Sequence, residues 1–119
     1  MTDIIEVKLS NEIGDFGENK DIAKRIRIKK IMPGLIDNAQ IVLDFNDVSG
    51  ATQSFIHALI AEPMREFPDL FFSNVKFKNC QKTIKTVVMT VSEYIQESMD
   101  NGFNKLETPY LKNKKPSQK

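Results

Sequence analysis

A strand-to-helix junction in the middle of the chain most constrains the fold. The segment AQIVLDF, residues 39–45, is nearly continuous in apolar residues, which is typical of a strand covered on both faces in a parallel sheet. Apolar residues then recur from Phe55 to Phe67 at the spacing of one helical face. Because parallel strands are joined by long crossovers, usually helices, this junction predicts an α/β domain.

The N-terminal third supplies another strand and another helix. Residues 4–10 alternate apolar and polar side chains, as in a half-buried strand. The loop-like segment that follows leaves room for a short extra strand within residues 9–17. Isoleucines fall near helical spacing in residues 20–31, although the alternation IAKRIRIKKI also fits a strand. We prefer a helix there, ended by the Pro-Gly pair at residues 33 and 34.

The C-terminal half predicts a third strand and a long helix. The helix after the central strand should end or kink just before Pro63, and residues 68–74 should be a connection. Residues 75–79 have the composition of a short strand, and residues 82–99 carry a long helical stripe of apolar side chains. Gly102 is a plausible stop for this helix.

The order of elements predicts a single small α/β domain, residues 1–102, with a mixed or mainly parallel sheet flanked by helices. Residues 103–119 should be a basic, flexible tail. The net charge of +1 argues against nucleic-acid binding by the whole domain. No apolar run approaches the roughly 20 residues that span a bilayer, and the N-terminus does not resemble a secretory signal. We therefore expect a cytoplasmic protein that does not insert into membranes.

The scarcity of cysteine and histidine limits the chemistry of the chain. One cysteine, Cys80, and one histidine, His57, leave little for a zinc site. Cys80 precedes a predicted helix, where a thiolate is favoured, but a small buried hydrophobe is the simpler interpretation. Walker loops and dinucleotide-binding fingerprints are also missing from the sequence. We therefore expect neither a metal nor a cofactor.

Three hydroxyl residues crowd the junction: Ser49, Thr52 and Ser54. Thr52 is a good candidate for the N-cap of the helix. Ser54 then falls in the first turn, where unpaired N–H groups and the helix dipole would stabilise a phosphate. The plainer interpretation is that these residues only cap the helix.

Two acids and a histidine surround the hydroxyls. Asp44 ends the central strand, where functional crevices of parallel sheets often lie, while Asp47 is best explained by turn capping. His57 follows Ser54 by three residues, so both side chains can share one side of the helix. A small enzyme using Asp44, Ser54 and His57 is therefore an alternative, but the sequence has no G-x-S-x-G elbow, and a surface histidine is the better interpretation.

The central stretch VLDFNDVSGATQSFIHALI resembles the STAS-like domains of unknown function. The shared pattern is a strand ending in Asp44-Phe45, a short turn, and a T-x-S-F sequence that opens a helix. The wider relatives are STAS domains, including bacterial anti-sigma-factor antagonists, in which a partner serine kinase phosphorylates a hydroxyl at a helix start. Aligned without gaps to their motif, Thr52 takes the acidic position and Ser54 the phosphoacceptor position, while Phe55 replaces a glycine.

The resemblance implies a non-catalytic regulatory module that binds a protein partner such as a serine-kinase or ATPase-type regulator. A homodimer is a further expectation for this chain. Phosphorylation of Ser54 would switch the docking. A second alternative is a weak nucleic-acid or anionic-surface binder through the basic residues 24–30. A third is simple self-association through Phe71 and Phe72 if these rings are exposed in a loop, although we expect them to cover one end of the core. The predicted interaction surface comprises Asp44, Asp47, Ser49, Thr52, Gln53 and His57.

Overall fold

The structure is a computed structural model that describes the backbone of residues 3–107 and the side chains of residues 3–99. Three parallel strands form its main sheet: β1 (Ile4–Lys8), β3 (Gln40–Asp44) and β5 (Val75–Lys78). Their order is β1-β3-β5, so β3 lies in the middle of the sheet. The register aligns Ile5 with Ile41 and Ile41 with Val75. This arrangement confirms the predicted α/β class with a parallel sheet.

The two faces of the sheet differ in burial. One face packs against helices and buries Val7, Leu43 and their neighbours. The opposite face carries an ion pair between Glu6 Oε2 and Lys78 Nζ, 3.5 Å apart, and both side chains are half-exposed. Between these strands Val42 is only half-buried. The register places Glu6 and Lys76 of the outer strands beside Val42, and the stems of such long side chains cover apolar surface only in part. The expectation that β3 is covered on both faces therefore fails at Val42.

A second, minor pairing joins the two loops that lead into the major helices. Strand β2 (Phe16–Gly17) runs parallel to β4 (Gly50–Ala51). Strand β2 falls inside the segment where a short extra strand was predicted, and a short helix, α1 (Leu9–Ile13), precedes it. The pairing ties the loop after β3 to the N-terminal part of the chain.

The helix predicted for residues 20–31 exists but continues further. It begins as α2 (Lys20–Ile26), widens into a π-helical segment (Arg27–Ile31) and continues as α3 (Met32–Ile36). The Pro-Gly pair at residues 33 and 34 therefore does not end it. A proline ring clashes with the carbonyl four residues earlier in a regular helix, and the wider π-helical turn just before Pro33 lets the chain stay helical.

The next two helices bear on two expectations. Helix α4 (Gln53–Glu66) contains Pro63 and continues for three residues past it, so it does not end at the proline; the kink expected there as the alternative stays a prediction. Residues 68–74 are not a plain connection but a helix, α5 (Pro68–Asn74), with its proline at the start. Proline is well suited to the first turn, where its missing N–H has no helical partner. Helix α5 buries Phe71 and leaves Phe72 exposed.

The last helix, α6 (Lys82–Glu107), is longer than predicted. Its stripe buries Ile84, Val91 and Ile95, as the spacing indicated. Gly102 does not stop it, since one glycine in a helix interior costs only about 1 kcal/mol relative to alanine. The predicted domain boundary at residue 102 thus falls inside α6. The rest of the predicted tail, residues 108–119, lies outside the described residues, so the division of the chain stays a prediction.

Helix α4 occupies the centre of the helical layer, between α2 and α6. Its apolar stripe is fully buried from Phe55 to Met64. Its N-terminus lies beside the carboxyl end of β3, because only eight residues, 45–52, connect the two elements. The described helices contain no stretch that is long and apolar enough to span a membrane.

Candidate functional site

The three hydroxyls at the junction have three different environments. Thr52 is the N-cap of α4: its backbone is extended, and its Oγ1 accepts a hydrogen bond of 3.0 Å from the N–H of Phe55. This is the role that the sequence predicted. Phe55 itself is fully buried, so the capping bond and the packing of the first turn fix the start of the helix together.

Ser49 holds the loop between β3 and α4. Its hydroxyl donates a hydrogen bond of 2.9 Å to the carbonyl of Asp15, and its own carbonyl accepts one of 3.2 Å from the hydroxyl of Thr83. The loop is therefore attached to the β2 region on one side and to the first turn of α6 on the other. Ser49 is exposed, but its hydroxyl is already used inside the protein.

Ser54 is the hydroxyl that remains accessible. It is the second residue of α4, its side chain is exposed, and among residues 3–99 its hydroxyl has no hydrogen-bond partner. First-turn N–H groups of a helix lack intrahelical acceptors, and they favour a negative charge nearby. Of the three hydroxyls, Ser54 is thus the one that a modifying enzyme or a partner could reach.

Ser54 lines a surface groove of about 420 Å³ between three helices. Helix α4 contributes Ser54 and His57, α2 contributes its first residue, Lys20, and α6 contributes Tyr94. The rings of His57 and Tyr94 are tilted against each other, with their centroids 6.2 Å apart. The full lining consists of Lys20, Gln53, Ser54, His57, Ala58, Thr90, Val91 and Tyr94. The groove therefore combines one permanent cation, one titratable imidazole and several hydroxyls.

His57 is half-buried, and its pKa is lowered. Burial is the main cause, because desolvation disfavours the imidazolium, and the positive charge of Arg65 adds to the effect. His57 also borders a second hollow of about 420 Å³, lined by Arg27, Glu62 and Arg65 among others. The lowered pKa favours the uncharged imidazole at neutral pH, and a negative charge nearby would act in the opposite direction.

Asp44 does not belong to the predicted interaction surface, because it is only 4% exposed. Its Oδ1 accepts two hydrogen bonds of 2.9 Å, from the backbone N–H of Asn46 and from Asn79 Nδ2. The Asn79 bond is the larger cause of a lowered Asp44 pKa, followed by the Asn46 bond. The carboxylate thus joins the ends of β3 and β5, and it is not among the residues that line the groove with Ser54 and His57.

The other two predicted surface residues are exposed. Asp47 lies in the turn after β3 with φ +67°, the left-handed region that Asp and Asn tolerate better than most residues. This agrees with its predicted role as a turn residue. Gln53 is the first residue of α4 and lines the groove next to Ser54. The structure thus brings together Gln53, Ser54 and His57, with Thr52 just behind them.

Cys80 behaves as a small core residue. It is half-buried and packs against the hydrophobic core. Burial is the main reason that the pKa of its thiol is raised; the charge of Lys85 lowers this pKa by a smaller amount, and the charge of Asp44 raises it. The raised pKa opposes the thiolate that its position before α6 suggested. Within the described residues, no cluster of three His, Cys, Asp or Glu side chains could hold a metal ion.

The basic segment 24–30 is not uniformly exposed. The Arg27 side chain is 17% exposed, donates a hydrogen bond of 3.1 Å from Nη1 to the Ala58 carbonyl, and has its Nε 3.0 Å from Glu62 Oε1. It therefore ties the π-helical segment to α4. Lys24 and Lys29 are exposed around Ile28, which is itself half-exposed.

Sequence reasoning missed Lys20, Tyr94 and Asn79. Lys20 and Tyr94 come from helices far apart in sequence, so only the packing of α2 and α6 on α4 brings them to Ser54. Asn79 has φ +59°. An asparagine directly after a strand is a weak signal for such a left-handed residue, but the sequence does not indicate its bond to Asp44.

The fold and this groove define a small parallel α/β domain whose central strand is joined by a short connection to a hydroxyl-capped helix, with an open surface groove at the helix start. The chain belongs to the family of STAS-like domains of unknown function (DUF4325), whose profile matches residues 22–85, more than half of the chain. The match runs from α2 into α6 and includes the junction. A search of curated proteins and a search of solved structures each found no match.

Proposed function

We propose that this domain is a non-catalytic protein-binding module whose partner docks on the start of α4, and that phosphorylation of Ser54 switches the docking. The single observation that carries the proposal is that the three hydroxyls at the junction have different environments. Thr52 and Ser49 use theirs in hydrogen bonds inside the protein, whereas the Ser54 hydroxyl is exposed at the rim of a groove. Resemblance to the phosphorylated STAS domains adds support.

The chemistry of the surface suits such a switch. Gln53, Ser54 and His57 are polar side chains on a rigid helix whose other face is locked into the core. Rigid polar surfaces of this kind present a partner with fixed hydrogen-bonding groups. A phosphate adds about −1.5 to −2 charges at neutral pH, so one modification would change the electrostatics of the whole surface. A serine-kinase or ATPase-type regulator is the partner that the family resemblance suggests.

The proposal is tested by affinity purification of the tagged protein from its own cells. We expect an ATPase-type partner to co-purify with the unmodified protein and with Ser54→Ala. We expect Ser54→Glu to lose most of it, because the added charge lies at the docking surface. Intact-mass measurement of the purified protein should find a fraction carrying one phosphate, which Ser54→Ala abolishes.

The matched control is Gln96→Glu, which adds the same charge at an exposed position of α6. This variant should retain the partner as well as the unmodified protein does. If Ser54→Glu and Gln96→Glu retained a partner equally, docking would not involve the start of α4. A chain with no phosphate on Ser54 in its own cells would remove the switch from the proposal.

The non-catalytic part of the proposal rests on the position of Asp44. The alternative enzyme requires Asp44, Ser54 and His57 to converge on one substrate. Asp44 does not line the groove, and its Oδ1 accepts hydrogen bonds from Asn46 and Asn79 instead. An enzyme of this design would lose activity on substitution of any of the three residues, so a hydrolase screen of Asp44→Asn beside the unmodified protein tests it.

One further surface supports a second candidate function, binding to nucleic acid or another anionic surface. Lys24, Arg25 and Lys29 line a hollow of about 310 Å³ around the half-exposed Ile28. Arg25 is partly neutralised, since its Nη2 lies 3.9 Å from Glu12 Oε1. Phosphate contacts give an affinity that falls steeply with salt, so binding to a mixed DNA duplex at low salt, lost in Lys24→Gln/Lys29→Gln, would support this function.

A further inference from the structure

We infer that a phosphate on Ser54 is held inside the protein's own groove, between Lys20 of α2 and the imidazole of His57. The inference rests on the proposed role of Ser54 as phosphoacceptor, and it specifies how the modification acts. In this arrangement the phosphate fills the groove and is paired with Lys20 instead of being presented unpaired to the partner. A partner would then lose access to Lys20, His57 and Tyr94 together.

The geometry of the groove carries the inference. Ser54, His57 and Lys20 line the same hollow of about 420 Å³, which is larger than a phosphate group requires. Ser54 and His57 are three residues apart on α4, so their side chains are neighbours on the helix surface. Lys20 reaches the hollow from the first position of α2, which packs directly against α4. A phosphate is an acceptor with three oxygens, and a lysine and an imidazolium are its natural donors.

The charges around His57 determine whether a phosphate on Ser54 would raise or lower the pKa of the imidazole. On its own helix, Arg65 opposes the imidazolium, while Glu62 and Glu66 border the second hollow beside it. From the π-helical segment, Arg27 lies against Glu62 and offsets that acid. The remaining neighbours in the groove include Lys20 and Tyr94. A phosphate would therefore add negative charge where positive side chains predominate, so it should raise the pKa of His57, and by linkage Lys20 and His57 should lower the second pKa of the phosphate.

The experiment uses the full chain with phosphoserine encoded directly at position 54, so that no kinase is required. Phosphorus NMR gives the second pKa of the phosphate, and the imidazole signals of the single histidine give the pKa of His57. Each is measured with and without Lys20→Gln. We expect Lys20→Gln to raise the phosphate pKa by about half a unit, the size of shift for a partly exposed ion pair. We expect the pKa of His57 to be at least about half a unit higher with phosphoserine than with serine.

The matched control is Lys24→Gln, which removes the same charge from the same helix. Lys24 is exposed four residues further along α2 and does not line this groove. Its effect on the phosphate pKa should be well below that of Lys20→Gln, because exposed charges are screened by solvent and salt. Amide NMR spectra of both variants check that the fold is unchanged.

Two results would overturn the inference. Equal phosphate pKa values in Lys20→Gln and Lys24→Gln would mean that Lys20 does not hold the phosphate. An unchanged pKa of His57 on phosphorylation would mean that the phosphate points away from the groove. Neither result affects whether a partner docks on α4. Conversely, a missing partner would defeat the proposed function and leave these two couplings intact, so the two failures are distinguishable.

Discussion

At the scale of single residues, neighbouring polar side chains of one chemical type have different roles. Thr52, Ser49 and Ser54 lie within six positions, yet one caps a helix, one fastens a loop and one faces solvent. The differences come from where each hydroxyl points when α4 begins. The same holds for the two acids of the turn, since Asp44 is buried and hydrogen-bonded while Asp47 is exposed.

The N-cap predicts the behaviour of Thr52 variants. Thr52→Ala removes the acceptor of the Phe55 N–H, so we expect the free energy of unfolding to fall by about 1 kcal/mol. Thr52→Ser keeps a hydroxyl in place and should change the free energy of unfolding by only a few tenths of a kcal/mol at most. Urea unfolding followed by circular dichroism measures both. Equal loss in the two variants would mean that the methyl group, and not the cap, matters.

The bonded carboxylate of Asp44 predicts a pH dependence of stability. Its pKa is lower in the folded protein than the ordinary value of 3.8, so its stabilising contribution is complete above about pH 4, the region of its unfolded pKa. It is lost as pH falls from there through the folded pKa. Asp44→Asn keeps an acceptor for Asn46 and Asn79 but cannot titrate. We expect its unfolding free energy to decline less between pH 5 and 3 than that of the unmodified protein; parallel curves would contradict the assignment.

At the scale of elements, tertiary contacts override local signals. Pro33 and Pro63 both lie inside helical segments, and α5 forms where composition indicated a connection. In α4 the apolar stripe is buried on both sides of Pro63. This burial holds the helix together although the proline removes one backbone hydrogen bond.

Helix α5 predicts opposite outcomes for two adjacent phenylalanines. Phe71 is 3% exposed and Phe72 is 54% exposed, because consecutive residues of a helix point about 100° apart. We expect Phe71→Ala to lower the free energy of unfolding by about 3 to 5 kcal/mol. Phe72→Ala should lower it by less than about 1 kcal/mol, because this variant loses only the edge-to-face contact between the two rings. Thermal or urea unfolding separates the two; similar losses would mean that residues 68–74 are not helical.

At the scale of the whole molecule, one hydrophobic core joins all three strands of the main sheet to α2, α4, α5 and α6. The groove that contains Ser54 lies on the outer side of this core, so its lining helices cannot separate without exposing core residues such as Phe55 and Val91. A site held by three packed helices is preorganised for a ligand or a covalent phosphate.

The single core predicts one cooperative unfolding transition for the described domain. Far-UV circular dichroism reports the helices, and the proton signals of His57, the only histidine, report the groove. We expect the two probes to have the same urea midpoint. An earlier midpoint for His57 would mean that the groove opens independently of the core, and it would weaken the inference of a rigid phosphate site.

Sequence alone determined the local features of this protein. Alternation identified β1, a nearly continuous apolar run identified β3, composition identified β5, and helical spacing identified α4 and α6. The hydroxyl before the apolar stripe identified the cap at Thr52. These features depend on residues within about four positions of one another along the chain, so the sequence shows them directly. The family resemblance also came from one continuous stretch, and it is confirmed.

Only the tertiary structure decided which of these residues form a site. The burial of Asp44 depends on Asn79, which is 35 positions away. The groove depends on Lys20, Ser54 and Tyr94, which meet because α2 and α6 pack on either side of α4. Whether a helix survives its proline, and whether a phenylalanine faces core or solvent, depends equally on distant partners. Such contacts join residues that are far apart in the chain, so the sequence of one segment does not show which other segments it will pack against.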